Sequence, residues 1–209
     1  MIGLLERLWS DFLPLLWAGM AVNFEIAGIA IALGLAFGLA LAFAHLRGGL
    51  IGTGAATAVT LMRAAPTFVV MFFLLNALPR EISVSGVMIV ALSLVPYSAA
   101  FVTDSSLDAL RHLRSGSALA ALQFLPNVMR AFFVLVMSSG AGAAIGVGEG
   151  ISAILRQAEQ LPALGDRLVL FAIGVASFGV PLQLGFLVLR FAQRRLGLRL
   201  TGRHSRRIG

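Results

Sequence analysis

The stretch Leu168-Val-Leu-Phe-Ala-Ile-Gly-Val-Ala-Ser-Phe-Gly-Val-Pro-Leu-Gln-Leu-Gly-Phe-Leu-Val-Leu189 carries no charge over 22 residues, and seven of the chain's 16 basic residues follow it. A run of about 20 apolar residues is long enough to cross a bilayer core of roughly 30 Å as a helix. Positive charge at the end of such a helix marks the cytoplasmic side. The sequence therefore predicts a membrane span that is followed by a basic cytoplasmic tail over residues 190–209.

The composition of the whole chain also indicates a membrane protein. Mean hydropathy is +0.95, 59% of the 209 residues are hydrophobic and 12% are charged, whereas soluble domains carry about 25% charged residues. We therefore predict one transmembrane domain over residues 1–209. The net charge is +7, and all 16 basic residues are arginines. Because this charge sits at the ends of predicted spans, we expect it to orient helices and contact anionic lipid rather than nucleic acid.

Charged residues divide the chain into five apolar runs, which predict an all-α integral membrane protein. The predicted spans lie between Glu25 and His45, between Arg63 and Pro79, from Ile82 to Thr103, from Ala131 to Gly148, and from Leu168 to Leu189. A cytoplasmic C-terminus then places the N-terminus outside. The predicted inner segments hold five arginines before the basic tail, whereas the four arginines of the outer segments are offset by acidic residues that include Glu149, which satisfies the positive-inside rule. A four-span arrangement without the glycine-rich fourth run would break this alternation.

The N-terminal segment has a pattern of its own. Residues 1–14 have helical apolar spacing and predict a short amphipathic helix on the outer interface; a simple extension of the first span is the alternative.

Glycines are frequent in the first and fourth runs. Gly28, Gly34 and Gly38 predict close helix approach in the first span. The glycines between Gly140 and Gly150 predict a broken or bent helix that lines a pathway, with tight packing as the alternative.

The segment after the third run carries a resemblance to a known family. Ser98-Ala-Ala-Phe-Val-Thr-Asp104 is followed by Ser115-Gly-Ser-Ala-Leu-Ala-Ala121. These pieces resemble the S-A-A-Y-x-x-E and G-Q-x-E-A-A-x-x-L-G pattern of permease subunits of ABC importers for polar amino acids, the histidine/glutamine permease type. Phe101 stands for the Tyr and Asp104 for the Glu. The Glu and last Gly of the second piece are replaced by Leu119 and Leu125.

Other pieces of the chain resemble the same family in the same order. They are Gly19-Met-Ala-Val-Asn23 for G-x-x-x-T, Met62-Arg-Ala-Ala-Pro-Thr-Phe68 for R-G-T-P, Ile145-Gly-Val-Gly-Glu149 for I-G-V-P-E, Leu155-Arg-Gln-Ala158 for L-R-Q-A, and Phe191-Ala-Gln-Arg-Arg-Leu196 for the closing helix. A stretch that the family has between the E-A-A loop and the I-G-V piece is absent here.

The resemblance implies the ABC type I importer permease fold and a role in the bacterial inner membrane. It implies one of two membrane subunits, as a homodimer or a heterodimer, that works with ABC ATPase subunits and a periplasmic substrate-binding protein. The transported solutes would be amino acids or related small polar compounds. The chain has no lysine and therefore no phosphate-binding G-x-x-x-x-G-K-[ST] motif. ATP and Mg²⁺ would accordingly be bound by the partner ATPase, and no cofactor is expected in this chain.

The resemblance implies that residues 104–130 form the cytoplasmic coupling region. Alanines give it a small face, leucines give it apolar contact area, and Pro126 is expected to end its helix. The candidate coupling residues are Leu113, Gly116, Ala118, Leu119, Ala120, Ala121, Leu122 and Leu125. An amphipathic loop lying on lipid is the alternative. Loss of the E-A-A glutamate at Leu119 suggests a heterodimer in which a second subunit carries the stronger coupling.

Polar residues inside spans are costly and often functional. The candidate pathway residues, from charge and from the resemblance, are Glu25, Arg63, Pro66, Thr67, Asn76 and Phe101. Glu25 could meet a cationic substrate or only reach the outer interface. Asp104, Asp108 and Arg111 are candidates for a structural ion pair, with Arg63 as another partner for Asp104. No metal site and no catalytic set is predicted, so we expect a transport subunit rather than an enzyme, or alternatively a degenerate subunit that scaffolds a transport complex.

Overall fold

The structure of the chain, a computed structural model, describes residues 8–79, 81 and 83–205. Within these residues every regular element is helical. The α-helices are α1 (Leu13–Leu46), α2 (Gly49–Ala64), α3 (Thr67–Ala77), α4 (Gly86–Arg114), α5 (Ala118–Ala121), α6 (Phe124–Ser138), α7 (Gly150–Glu159) and α8 (Leu164–Ser205). A π-helical turn over Leu8–Phe12 precedes α1, and a 3-10 helix over Ser139–Ile145 follows α6.

Four helical segments of the described chain are long and apolar enough to cross a membrane. They are Ser10–Leu46, Gly86–Arg114, Phe124–Ile145 and Leu164–Arg195. α2 and α3 together could form a fifth span, although they are bent by 95°. The all-α architecture with about five spans agrees with the prediction from the sequence.

The helices in the region of the second predicted span begin and end at other residues than the sequence predicts. The apolar run from Arg63 to Pro79 is not one helix, because α2 ends at Ala64 and α3 has 11 residues. A helix of 11 residues is about 16 Å long, roughly half of the bilayer core. Pro66 causes the break, since proline lacks an N–H donor and forces the preceding residue out of the helical region. Ala65 is accordingly extended, with φ −70° and ψ 116°.

The core is centred on α1 and α4, which share the most extensive helix–helix interface. Gly38 allows this approach, because a Cβ there would lie 2.7 Å from the carbonyl oxygen of Ala99. The hydroxyl of Ser98 donates to the carbonyl of Ala30 at 2.9 Å, and that of Thr103 donates to the carbonyl of Gly38 at 3.1 Å. In lipid, close backbone packing and interhelical hydrogen bonds replace the hydrophobic drive for association.

The glycine prediction for the first span is correct at two positions of three. Gly34 packs directly on Ser98, and Gly38 packs on Ala99 and Val102. At Gly28, no atom of the described residues outside its own helix lies within 4 Å of where a Cβ would be. The described part of the chain therefore makes no close helix approach at that position.

The N-terminal segment differs from a separate interfacial helix. Residues 8–12 run directly into α1, and both Phe12 and Leu16 are buried in the core. The described part of residues 1–14 is thus an extension of the first span; residues 1–7 lie outside the described residues.

At the C-terminal end, α8 has 42 residues, about 63 Å of helix. It continues through the basic tail as far as Ser205, and Arg206 and Arg207 lie outside the described residues.

Candidate functional site

A fully buried polar cluster joins three separate parts of the chain. Asn23 of α1, Ser139 at the start of the 3-10 helix and Glu149 before α7 all have 0% exposure. The Asn23 amide donates to the Ser139 hydroxyl at 2.7 Å and to the Glu149 carboxylate at 2.8 Å. Its carbonyl oxygen accepts from the backbone N–H of Gly150 at 2.8 Å. One asparagine side chain therefore fixes α1 against the segment that leads into α7.

Glu149 holds the start of α7 through its carboxylate. One oxygen accepts from the N–H of Ile151 and the other from the N–H of Ser152, each at 2.8 Å. These are two of the N–H groups that a helix leaves without internal partners at its start. The partial positive charge at a helix N-terminus also stabilises a carboxylate. Every buried side-chain polar atom of the described residues has a hydrogen-bond partner, as an apolar interior requires.

The backbone around this cluster needs glycine at two places. Gly146 ends the 3-10 helix with φ 83°, a left-handed conformation that glycine adopts without steric cost. Gly19 lets α1 touch the turn, because a Cβ there would lie 2.6 Å from the carbonyl carbon of Glu149. The predicted irregularity of the glycine-rich run is therefore present as a 3-10 helix, a left-handed turn and an extended link.

The burial of Glu149 was not predicted. The charge pattern placed this residue only among the acids of the outer segments. In the structure it is buried, because its carboxylate replaces water with two backbone N–H groups and the Asn23 amide. Asn23 and Glu149 each end one of the short pieces that carry the family resemblance. Their places in the resembling pieces were the one sequence signal that singled out both residues. Spacing along the chain could not show that Asn23 and Glu149 are in contact.

Four candidate pathway residues lie around the break between α2 and α3. Pro66 forms the break together with Ala65, and Thr67 is the first residue of α3. Arg63, in the last turn of α2, makes a salt bridge with Asp104 of α4. Phe101 lies one turn earlier on α4, where it is half-buried and its ring centroid is 6.2 Å from that of Tyr97.

The other two candidate pathway residues are separate from that group. Glu25 is exposed on α1. Asn76 is exposed on α3, and its amide donates to the carbonyl of Phe72 at 2.6 Å. No hydrogen bond or ion pair among the described residues links Glu25 or Asn76 to the residues at the α2–α3 break. The six candidates therefore do not form one site through such contacts.

The acidic pair on α4 is split between two partners. Asp104 bonds Arg63, whereas Asp108 pairs with Arg111 at 3.0 Å on the same helix. All four side chains are at least half exposed. Exposed ion pairs of this kind contribute at most about 1 kcal/mol, so they orient helix ends more than they stabilise the fold. Within the described part of the chain, no three His, Asp or Glu side chains are grouped as a metal site would need.

Within the predicted coupling region, residues 104–130, the segment between the two flanking helices α4 and α6 covers residues 115–123. α4 continues to Arg114, and Gly116 makes the turn with φ 80°. Of the candidate coupling residues, only Ala118–Ala121 form the short helix α5; the side chains of Ala118 and Leu119 lie outside the described part. Leu113 belongs to the last turn of α4, and Leu122 follows α5.

A hydrogen bond from α8 and the start of α6 define how this segment connects to the rest of the fold. The amide of Gln193 on α8 donates to the carbonyl of Leu122 at 3.1 Å. Leu125 lies in the first turn of α6. Pro126 does not end a coupling helix as predicted: it lies in the first turn of α6, where its missing N–H has no intrahelical role. The segment presents apolar side chains outward, with Leu113 53% and Leu125 41% exposed.

Comparison with known proteins gives one informative likeness. No protein-family profile matches the chain, and no curated protein sequence matches it. A solved structure described as "Crystal structure of an amino acid ABC transporter with histidines" superposes with a TM-score of 0.69, covering 89% of this chain and 99% of that chain at 20% identity. This chain has the fold of that transporter. The predicted permease fold is thereby confirmed, whereas function has to be argued from the site.

Proposed function

We propose that the chain is the membrane subunit of an ATP-driven ABC importer for amino acids or related small polar solutes, in a bacterial inner membrane. The observation that carries the proposal is the likeness in fold to an amino acid ABC transporter over 89% of the chain. The order of resembling sequence pieces supports the same class. A partner ATPase supplies ATP hydrolysis, a second membrane subunit completes the pathway, and a periplasmic binding protein delivers the solute.

The segment from Leu113 to Leu125 is the proposed docking element for the ATPase. It lies at the end of the long helix α4, between α4 and α6, and a hydrogen bond from α8 holds it. Its exposed leucines give it apolar area, which a segment facing water alone rarely carries. Because three long helices meet at this segment, movement of a docked ATPase would be transmitted to the membrane spans.

Co-purification in mild detergent tests this proposal. We expect the tagged chain to bring down an ATPase subunit and a second permease, with ATP hydrolysis in the eluate. Leu113→Glu should lower ATPase recovery by at least tenfold, because it places a charge in the apolar docking surface. Leu50→Glu is the matched control, since Leu50 is 93% exposed at the start of α2. Recovery of the chain alone, or equal loss for both variants, would reject the docking role.

A further inference from the structure

A cleft of about 340 Å³ lies beside the contact between α1 and α7. One wall is small and apolar and includes Leu15 and Ala18 of α1. The opposite wall is polar and carries Ser152 and Arg156 of α7 and Gln160, the residue that caps the end of α7. These three follow each other at intervals of four, the spacing that places side chains on one helix face. The volume falls in the range of about 300–1,000 Å³ typical of small-molecule sites.

The polar wall offers donors that the described part of the chain does not use. Arg63 and Arg111 each pair with an aspartate. The side chains of Arg156, Gln157 and Gln160, by contrast, have no hydrogen-bond or ionic partner among the described residues. Gln157 is half-buried, and Arg156 and Gln160 are exposed. Three unengaged polar side chains thus converge on one cleft.

The accessible charge of this cleft is positive. Glu149 also lines the cleft, but it is 0% exposed, and its carboxylate is occupied by Asn23 and by the start of α7. Arg156 is therefore the charge that a ligand meets. A guanidinium presents donors in a planar fork that matches a carboxylate, and glutamine amides can donate or accept beside it.

We infer that this cleft binds an amino acid through its α-carboxylate, with Arg156 as the ionic partner and Gln157 and Gln160 as neighbouring hydrogen-bonding groups. The inference rests on the proposed transport function and names a substrate site for it. An anionic lipid phosphate presents similar oxygen atoms to Arg156. The experiment therefore separates the two sources.

The absence of cysteine in the chain makes a single-thiol experiment direct. Ala153→Cys places a reporter on the wall of the cleft and leaves Arg156, Gln157 and Gln160 intact. Glu159→Cys is the matched control, exposed on the same helix but outside the cleft. The full-length chain, in phosphatidylcholine nanodiscs with the proteins that co-purify, is modified by anionic or cationic methanethiosulfonate reagents. The rate of modification is measured with and without each of the standard L-amino acids.

At Ala153→Cys we expect Arg156→Gln to slow the anionic reagent about threefold and to speed the cationic reagent about threefold, the Coulomb effect of one charge about 6 Å away in water. At least one L-amino acid should slow modification at Ala153→Cys but not at Glu159→Cys, and its carboxamide derivative should not protect. Arg156→Gln should also abolish the protection.

Three results would overturn the inference: protection by no amino acid, equal protection by the carboxamide, or protection by phosphatidylglycerol in place of any amino acid. The last result would identify a lipid site. Failure here is distinguishable from failure of the proposed function, because recovery of the ATPase is scored in the same preparation. A chain that recovers the ATPase without protection refutes the cleft site alone.

Discussion

Replacing Asn23 with alanine tests whether the buried polar cluster holds the transmembrane core together. The substitution removes the hydrogen bonds from Asn23 to Ser139 and Glu149, and it leaves the N–H of Gly150 without its acceptor. Interhelical hydrogen bonds in membrane proteins contribute about 0.6 kcal/mol each on average and up to about 1.7. The two bonds that Asn23 donates therefore amount to about 1 kcal/mol. The unpaired N–H adds about 1–3 kcal/mol, so we expect Asn23→Ala to cost about 2–4 kcal/mol.

The assay is unfolding of the purified chain by SDS in mixed micelles, followed by tryptophan fluorescence. Asn76→Ala is the matched control, because it deletes the same group from an exposed position that makes one local hydrogen bond. An exposed substitution of this kind changes stability by at most about 0.5 kcal/mol. If the free energies of unfolding of the two variants differ by less than about 0.5 kcal/mol, the cluster does not stabilise the fold as argued.

The remaining predictions use the same unfolding assay. Gly19→Ala should cost about 1–3 kcal/mol, because a Cβ at this position overlaps the backbone of the turn before α7, whereas Gly28→Ala should be neutral or stabilising; equal effects would refute the close-approach argument. Gly146→Ala should cost about 1–2 kcal/mol because of its φ of 83°, with Gly148→Ala, in open space, as the control that should cost less. Asp104→Asn removes an exposed ion pair with α2 and should cost less than about 1 kcal/mol; a larger loss would mean that this pair supports the α2–α3 break.

The sequence predicted the spans well where apolar length decides the structure. α1 and α8 contain the predicted first and fifth runs, and α4 contains the predicted third run from residue 86 onward, because about 20 apolar residues leave few alternatives in lipid. The break at Pro66 was missed although its signal was present. A proline inside the run and only 15 residues between Arg63 and Pro79 both argued against a single straight span.

The buried site was harder to predict because it is made by contacts across the chain. Asn23 and Glu149 lie 126 residues apart, and nothing in local spacing joins them. A glutamate between glycines also reads as a solvent-facing charge. The structure shows that its carboxylate accepts from two backbone N–H groups of α7 and from the Asn23 amide.

The measurement that tests the central claim most directly is uptake of radiolabelled amino acids by proteoliposomes that contain the co-purified complex. We predict uptake that requires ATP on the ATPase side together with the binding protein on the other side. Uptake should fall at least tenfold when Leu113→Glu replaces the native chain, and it should persist with Leu50→Glu. Uptake without ATP, or full ATP-driven uptake by a complex that lacks this chain, would contradict the account.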